Sequence, residues 1–324
     1  MTDRKMKSGT MMPFARPVVM RWMHAVSGGW VILGLAAAIL FLAVPQTASR
    51  GVRAGLALCA HAVIPSVFPF LVLSPIAAAV IRRMLVHICG GDVRAAGLWS
   101  AFIPGMLSGF PVGAVTLQTL CRGGILTRAE AARFLGVCSG ASPAFLTAYF
   151  GLQLYGNVRV GWAVWGMQCV LCLAGFLWLL HRCSDRHAGA ADIEVPVPSL
   201  QTCLHSAASS MLGICASVVF FTVLRAFICT RFSGGMAAIL CGICEMTGGL
   251  GECMALADAG LLSRPAALLL SCGMIGFGGG CIGMQVSDAA AQAKLPMRYY
   301  WYTRILLAAG LMAAAAVFSM GGGM

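Results

Sequence analysis

The chain has 324 residues, of which 60% are hydrophobic and only 10% charged, far below the roughly 25% charged residues of a soluble globular domain. Long apolar runs recur with short polar gaps between them, which excludes a separate soluble domain and points to an integral membrane protein. The net charge of +12 sits in short Lys and Arg clusters between apolar runs rather than along one face. That pattern excludes a nucleic-acid-binding surface and fits the positive bias of cytoplasmic membrane loops.

In chain order, a basic segment, 1–24, is expected to be cytoplasmic and leads into the first apolar run, 25–44. Pro45 and QTAS follow it, as at a signal-peptide cleavage site, but so many later runs make an uncleaved first helix the expectation. Further apolar segments are expected at 55–81, 95–121, 134–154, 160–181, 203–229, 235–257, 265–288 and 300–320. The stretch RCSDRHAGAADIEVPVPSLQ reads as a cytoplasmic linker, 182–202, between a first membrane half, 25–181, and a second, 203–324. The 15 cysteines lie mostly inside apolar runs, as in Cys169-x-x-Cys172 and Cys241-x-x-Cys244, where thiols behave as small hydrophobes. No cysteine pair has zinc-like spacing with histidine partners, so neither a metal nor a cofactor is expected.

Two segments carry breakers at their centres. In 95–121 the sequence SGFPVGA (108–114) places Pro111 between Gly109 and Gly113, and in 235–257 the sequence EMTGG (245–249) does the same with glycines. Each leg is about 13 residues, too short to cross a bilayer at about 1.5 Å per residue. Both are therefore expected to be re-entrant hairpins, tolerated at membrane depth because their backbone is buried in protein or lines a wet cavity. With the N-terminus cytoplasmic, the clusters around 82–94, 122–133, 182–186 and 294–304 then fall inside. Only Arg50, Arg53, Arg159, Arg231 and Arg264 fall outside, as the charge rule requires. Arg304 counts among the inside charges, and Arg225, within a span, is read as snorkelling to the interface.

Each hairpin is followed by an apolar helix that is itself interrupted. The first is CSGASP (138–143), after a capping-box start at Thr127-Arg128-Ala129-Glu130; the second is GFGGGCIG (276–283). Pro111 and Pro143 are 32 residues apart, as are Gly248 and Gly280. An odd number of crossings separates the hairpins, so the second unit is expected upside down. The expected fold is thus all-α, a polytopic helical bundle of two inverted repeats, each with a re-entrant hairpin and a broken transmembrane helix. In secondary transporters of this build the site lies near the midplane between the repeats. Ser/His/Asp sets, paired catalytic carboxylates and phosphate loops are missing from the sequence, so an enzyme is not expected.

FPFLVLS (68–74), SGFPVGA, TRAEAARFLGVCSGASPAFL (127–146), GICEMTGG and GFGGGCIGMQ together resemble the sporulation integral membrane protein YlbJ-type family, which carries a nucleoside-recognition gate domain. The resemblance covers about residues 50–310. The order of hairpin, TR-x-E helix and broken helix is also similar to concentrative nucleoside transporters, whose first tip carries Gln-Thr-Glu where this chain has Phe-Pro-Val. The resemblance implies movement of dipicolinic acid from the mother-cell cytoplasm across the membrane around the forespore. A cation-coupled nucleoside or nucleobase carrier and a non-transporting component of spore envelope assembly are the alternatives. Expected substrate-binding residues are Gly109, Phe110, Pro111 and Gly113 at the first tip and Ser139, Gly140 and Ser142 at the first break. The second tip adds Glu245, Thr247 and Gly248, and the second break Gly278, Gly279 and Gln285. Half-helix N-termini and the hydroxyls would favour an anion, whereas Glu245 would repel one unless protonated, paired or bound to a coupling cation. Expected partners are the small anionic substrate and the lipid bilayer, with a coupling ion and a homo-oligomer left open and no nucleic acid.

Overall fold

The structure, a computed structural model, describes residues 41–183 and 197–320 together with 35, 38 and 39. The expected basic segment 1–24, most of the first apolar run 25–44 and most of the linker 182–202 lie outside the described residues. The described residues from Ser49 onward form one compact unit. The described residues fold into helices with no strand among them.

Helix α1, Pro45–Leu58, runs through a π-helical turn, Cys59–Val63, into α2, Ile64–Ile88. The gap between the expected runs 25–44 and 55–81 is thus helical: Pro45 fits a first helical position and Ala, Arg and Leu are good helix formers. Pro69 and Pro75 sit inside α2. The expected hairpin 95–121 is α3, Val93–Ser108, and α4, Val112–Arg122. The Thr127 box caps a short α5, Arg128–Phe134, with Glu130 N–H donating to the Thr127 hydroxyl and the Glu130 carboxylate accepting from Thr127 N–H. Irregular backbone then leads to a π-helical segment, Phe145–Leu154, and to α6, Val158–Arg182. The second half holds α7, Leu200–Arg231; α8, Gly234–Cys244; α9, Met246–Asp258; α10, Arg264–Phe277; α11, Gly279–Gln292; and α12, Arg298–Met320.

Among the described residues, five stretches are long and apolar enough to cross a membrane: Val67–Ile88, Val158–Arg182, Leu200–Arg231, Arg264–Gln292 and Arg298–Met320. The expected span 134–154 is not among them, because the chain leaves the helix after Phe134 and resumes it for only 10 residues in the π-helical segment. Large apolar side chains such as Val170, Trp178, Leu212, Leu306 and Val317 face outward. That would be costly in water and is natural against lipid tails.

Helix contacts follow the hairpin logic. α3 packs on α4 and α2, α8 on α9, the π-helical segment on α6, α10 along α12, and α7 against α2. Where backbones approach closely a glycine intervenes, as at Gly276, where an added Cβ would lie 2.5 Å from Ala308 Cα. Two apolar cores result. The larger is centred on Phe102, Phe134 and Phe176, with ring centroids 4.6 Å apart for Phe102–Phe176 and 5.3 Å for Phe134–Phe176. The smaller joins the α1–α2 rod to α7 through Cys59, Leu71, Met211, Ile214 and Val218.

Candidate functional site

The first tip is formed by three residues. α3 stops at Ser108; Gly109 takes φ +82° and ψ −170°, which only glycine adopts without strain; a cis peptide joins Phe110 to Pro111; and α4 begins at Val112. The tip presses on the first break. An added Cβ at Gly109 would lie 3.0 Å from Ser142 Cβ, and one at Gly113 only 1.8 Å from the Cys138 carbonyl oxygen. At the break itself, the Gln168 amide of α6 pairs with Ala141 as another backbone would, accepting from its N–H at 3.1 Å and donating to its carbonyl at 3.0 Å. The Ser142 hydroxyl accepts from Phe145 N–H at 3.2 Å and starts the π-helical segment.

The second tip is a single residue. Glu245 is extended between α8 and α9, and its carboxylate accepts from Thr247 N–H at 2.8 Å and Gly248 N–H at 2.7 Å. The two glycines expected to make the turn, Gly248 and Gly249, instead lie in the first turn of α9, where Gly249 lets the hairpin legs touch: its Cβ would meet Gly242 Cα at 2.3 Å. At the second break Gly278 and Gly279 have φ +86° and +78° and separate α10 from α11. An added Cβ at Gly279 would lie 3.1 Å from Gly242 O and 3.3 Å from Met246 N, so this break rests on the second tip.

One residue ties the breaks together. Arg304 of α12 is 1% exposed. Its guanidinium donates to Ser139 O at 2.6 Å in the first break and to Ile275 O at 2.8 Å and Phe277 O at 3.2 Å before the second. It also lies 5.0 Å from the Phe110 ring centroid at the first tip. Arg304 is therefore an interior group and not the surface charge of a helix end that the sequence suggests. Half-helix C-termini carry partial negative charge, and the guanidinium answers it.

Two adjoining cavities lie where the apolar cores meet. The first, about 110 Å³, is walled by both tips and both breaks: Ser108, Gly109, Phe110, Ser142, Glu245, Met246, Thr247 and Gln285 share it with apolar residues of α1, α2 and α7. The second, about 310 Å³, shares Leu58, Tyr149, Glu245 and Thr247 with the first and adds Thr222, Arg225 and Gly248. Of the expected binding residues, Gly109, Phe110, Ser142, Glu245, Thr247, Gly248 and Gln285 thus line a cavity. Pro111, Gly113, Ser139, Gly140, Gly278 and Gly279 line neither; they stand behind the walls and set the backbone. Gly140, for example, makes room for Met106 and Gln168.

Arg225 faces the second cavity beside Glu245, instead of reaching for the interface. Tyr149, which sequence reasoning passed over, donates its hydroxyl to Thr247 O at 3.1 Å and links the π-helical segment to the second tip. Gln285 donates to the Ser217 hydroxyl at 3.1 Å. Asp288 is exposed on α11, away from the cavities. No group of three or more His, Cys, Asp or Glu suited to a metal occurs among the described residues.

The described residues have the all-helical build of a membrane protein, with five apolar stretches long enough to span a bilayer and a cavity bearing a few polar groups among helix breaks. Comparison with family models, with curated proteins and with solved structures found no match to the chain.

Proposed function

We propose that the chain is a membrane transporter that moves a small organic anion out of the cytoplasm by alternating access. In this reading the α3–α4 and α8–α9 pairs are re-entrant hairpins entering from opposite faces. The halves 25–181 and 203–324 are inverted repeats, and the N-terminus is cytoplasmic. The membrane is the bacterial cytoplasmic membrane, by resemblance the mother-cell-derived one around the forespore. Dipicolinic acid is the substrate that the YlbJ-type resemblance implies. The observation that carries the reading is the convergence of two helix tips and two helix breaks on adjoining cavities that hold one carboxylate, Glu245, and one guanidinium, Arg225. Broken helices meeting at an interior polar site are how secondary transporters expose backbone groups to a solute without exposing them to lipid.

The test is uptake by proteoliposomes containing the purified full chain, with labelled pyridine-2,6-dicarboxylate, benzoate, uridine and hypoxanthine as solutes. Flux of a carboxylate above that of empty vesicles is the expected result. Flux of uridine or hypoxanthine alone would replace the proposal with a nucleoside or nucleobase carrier, and no flux of any of the four would favour a non-transporting membrane component. Cysteine labelling at residues 108–113 and 245–249, on a background lacking the native cysteines, tests the hairpins: each tip should react from one side only, and from opposite sides.

A further inference from the structure

We infer that the two cavities form a site for a single carboxylate carried on an apolar ring or chain, with Arg225 as its anchor. The inference rests on the transporter reading for its purpose, though not for its geometry; it narrows the substrate class to monocarboxylates and so departs from the dicarboxylate that the YlbJ-type resemblance implies.

The hydrogen-bond inventory of the second cavity leads there. Glu245 spends both carboxylate oxygens on the start of α9, so the N-terminus nearest the cavity is already occupied by the chain's own anion. The Thr222 hydroxyl donates to Val218 O at 2.7 Å and the Tyr149 hydroxyl to Thr247 O at 3.1 Å. The Arg225 guanidinium, by contrast, has no hydrogen bond or ion pair among the described residues, and the Thr247 hydroxyl has no partner there either. Arg225 is also held in place: its side chain lies across Gly248, where an added Cβ would come within 2.2 Å of Arg225 Cδ and 2.7 Å of Nη1. The donors that the second cavity leaves for a ligand are thus a planar guanidinium fork and one hydroxyl, which suit a carboxylate.

The first cavity sets what the carboxylate is attached to. Its wall is mostly apolar, with Phe110, Phe145, Tyr149, Ile214, Val218 and Ile282 around it. The rings of Phe145 and Tyr149 stack at 5.3 Å and offer a flat surface. A dry apolar cavity of about 150 Å³ takes up benzene, so adjoining spaces of about 110 and 310 Å³ have room for a one-ring acid. A second ionised carboxylate would find no second cation among the lining residues, and Glu245 would repel it.

The full chain in nanodiscs is titrated near neutral pH with benzoate, phthalate and benzamide by isothermal calorimetry. Benzoate is expected to bind at least about tenfold more tightly than either of the others, since a charge-assisted bond or an unmatched buried charge is worth at least that ratio. Arg225→Gln should weaken benzoate binding by about tenfold or more while leaving the melting temperature in place, and Arg225→Lys should keep part of the affinity. Phthalate binding as tightly as benzoate, benzamide doing so, an unchanged affinity in Arg225→Gln, or no binding of benzoate would each overturn the inference. The two proposals separate cleanly. Carboxylate flux with no dependence on Arg225 sinks the anchor and spares the transporter. Arg225-dependent binding with no flux of any solute sinks the transporter and spares the site.

Discussion

The two hairpin tips do the same job by opposite means. The first, Gly109–Phe110–Pro111, carries no charge and no side-chain cap; glycine geometry and close contact with Cys138 and Ser142 shape it. The second is one carboxylate, Glu245, that turns the chain and fills the first turn of α9 with two hydrogen bonds. A tip can be closed by removing side chains until backbones touch, or by supplying an anion for the orphan N–H groups of the next helix. The first route tolerates no added atom, and the second tolerates no lost one. The consequence for function is that charge enters the cavity from one side only.

The largest effect is expected where the tips share a support. Arg304→Met leaves three interior carbonyls without their donor, which should cost about 3 kcal/mol or more. Thermal unfolding of the purified chain in detergent would measure it, and Arg304→Lys should recover only part, since an ammonium lacks the fork. Next comes Gly113→Ala, which forces a methyl to within 1.8 Å of the Cys138 carbonyl oxygen and should cost about 1–3 kcal/mol. The contrast is Gly166→Ala in α6, where nothing lies within 4 Å and where the change should stabilise by about 0.5–1 kcal/mol. Glu245→Ala breaks the second tip in the other sense, by loss of a cap, at about 1–2 kcal/mol; the first tip has no counterpart substitution. In the same melts, an alanine at 245 that costs more than one at 113 would reverse the comparison.

The smallest effect is read in pH. Glu130 is partly buried, which raises its pKa, but the Thr127 backbone and hydroxyl and the Arg94 guanidinium outweigh that and hold it below its ordinary value of 4.5. A carboxylate with a depressed folded pKa adds stability above its unfolded value and loses it as pH falls through the folded one. The melting temperature should therefore drop as pH falls below about 4.5, and Glu130→Gln should flatten part of that slope.

Much of the helical plan was legible because breakers interrupt otherwise uniform apolar runs. The hairpins at 95–121 and 235–257 break where Gly109–Pro111 and Glu245 stand, and the Thr127 box caps its helix as its spacing says. Glycine number misleads at the second tip, whereas the second break falls within GFGGGCIG as expected, at Gly278 and Gly279; the other glycines of the two motifs are helical and serve close packing, which sequence cannot tell from turning. The gap QTASRGVR between the apolar runs 25–44 and 55–81 is helical because it is continuous with α2, which its polarity does not signal. Gln168 and Arg304 were missed for a different reason. Each is a polar residue in an apolar run, which alone marks it for attention, but their partners are backbone carbonyls and amides with no sequence signature. The sequence assigns Arg225 to the interface, since its position in α7 says nothing about the cavity that two distant hairpins build beside it.

The three bonds of Arg304 carry a mechanical consequence. A buried guanidinium stripped of its carbonyl oxygens is left unpaired, so the irregular stretches on either side of it are held to one another. Compliance is left to α7, whose polar links to the second break run through Ser217 to the uncharged Gln285 amide and Cys281 thiol. The helix that brings Arg225 to the cavity thus lacks, among the described residues, a charged clamp of that kind on either break.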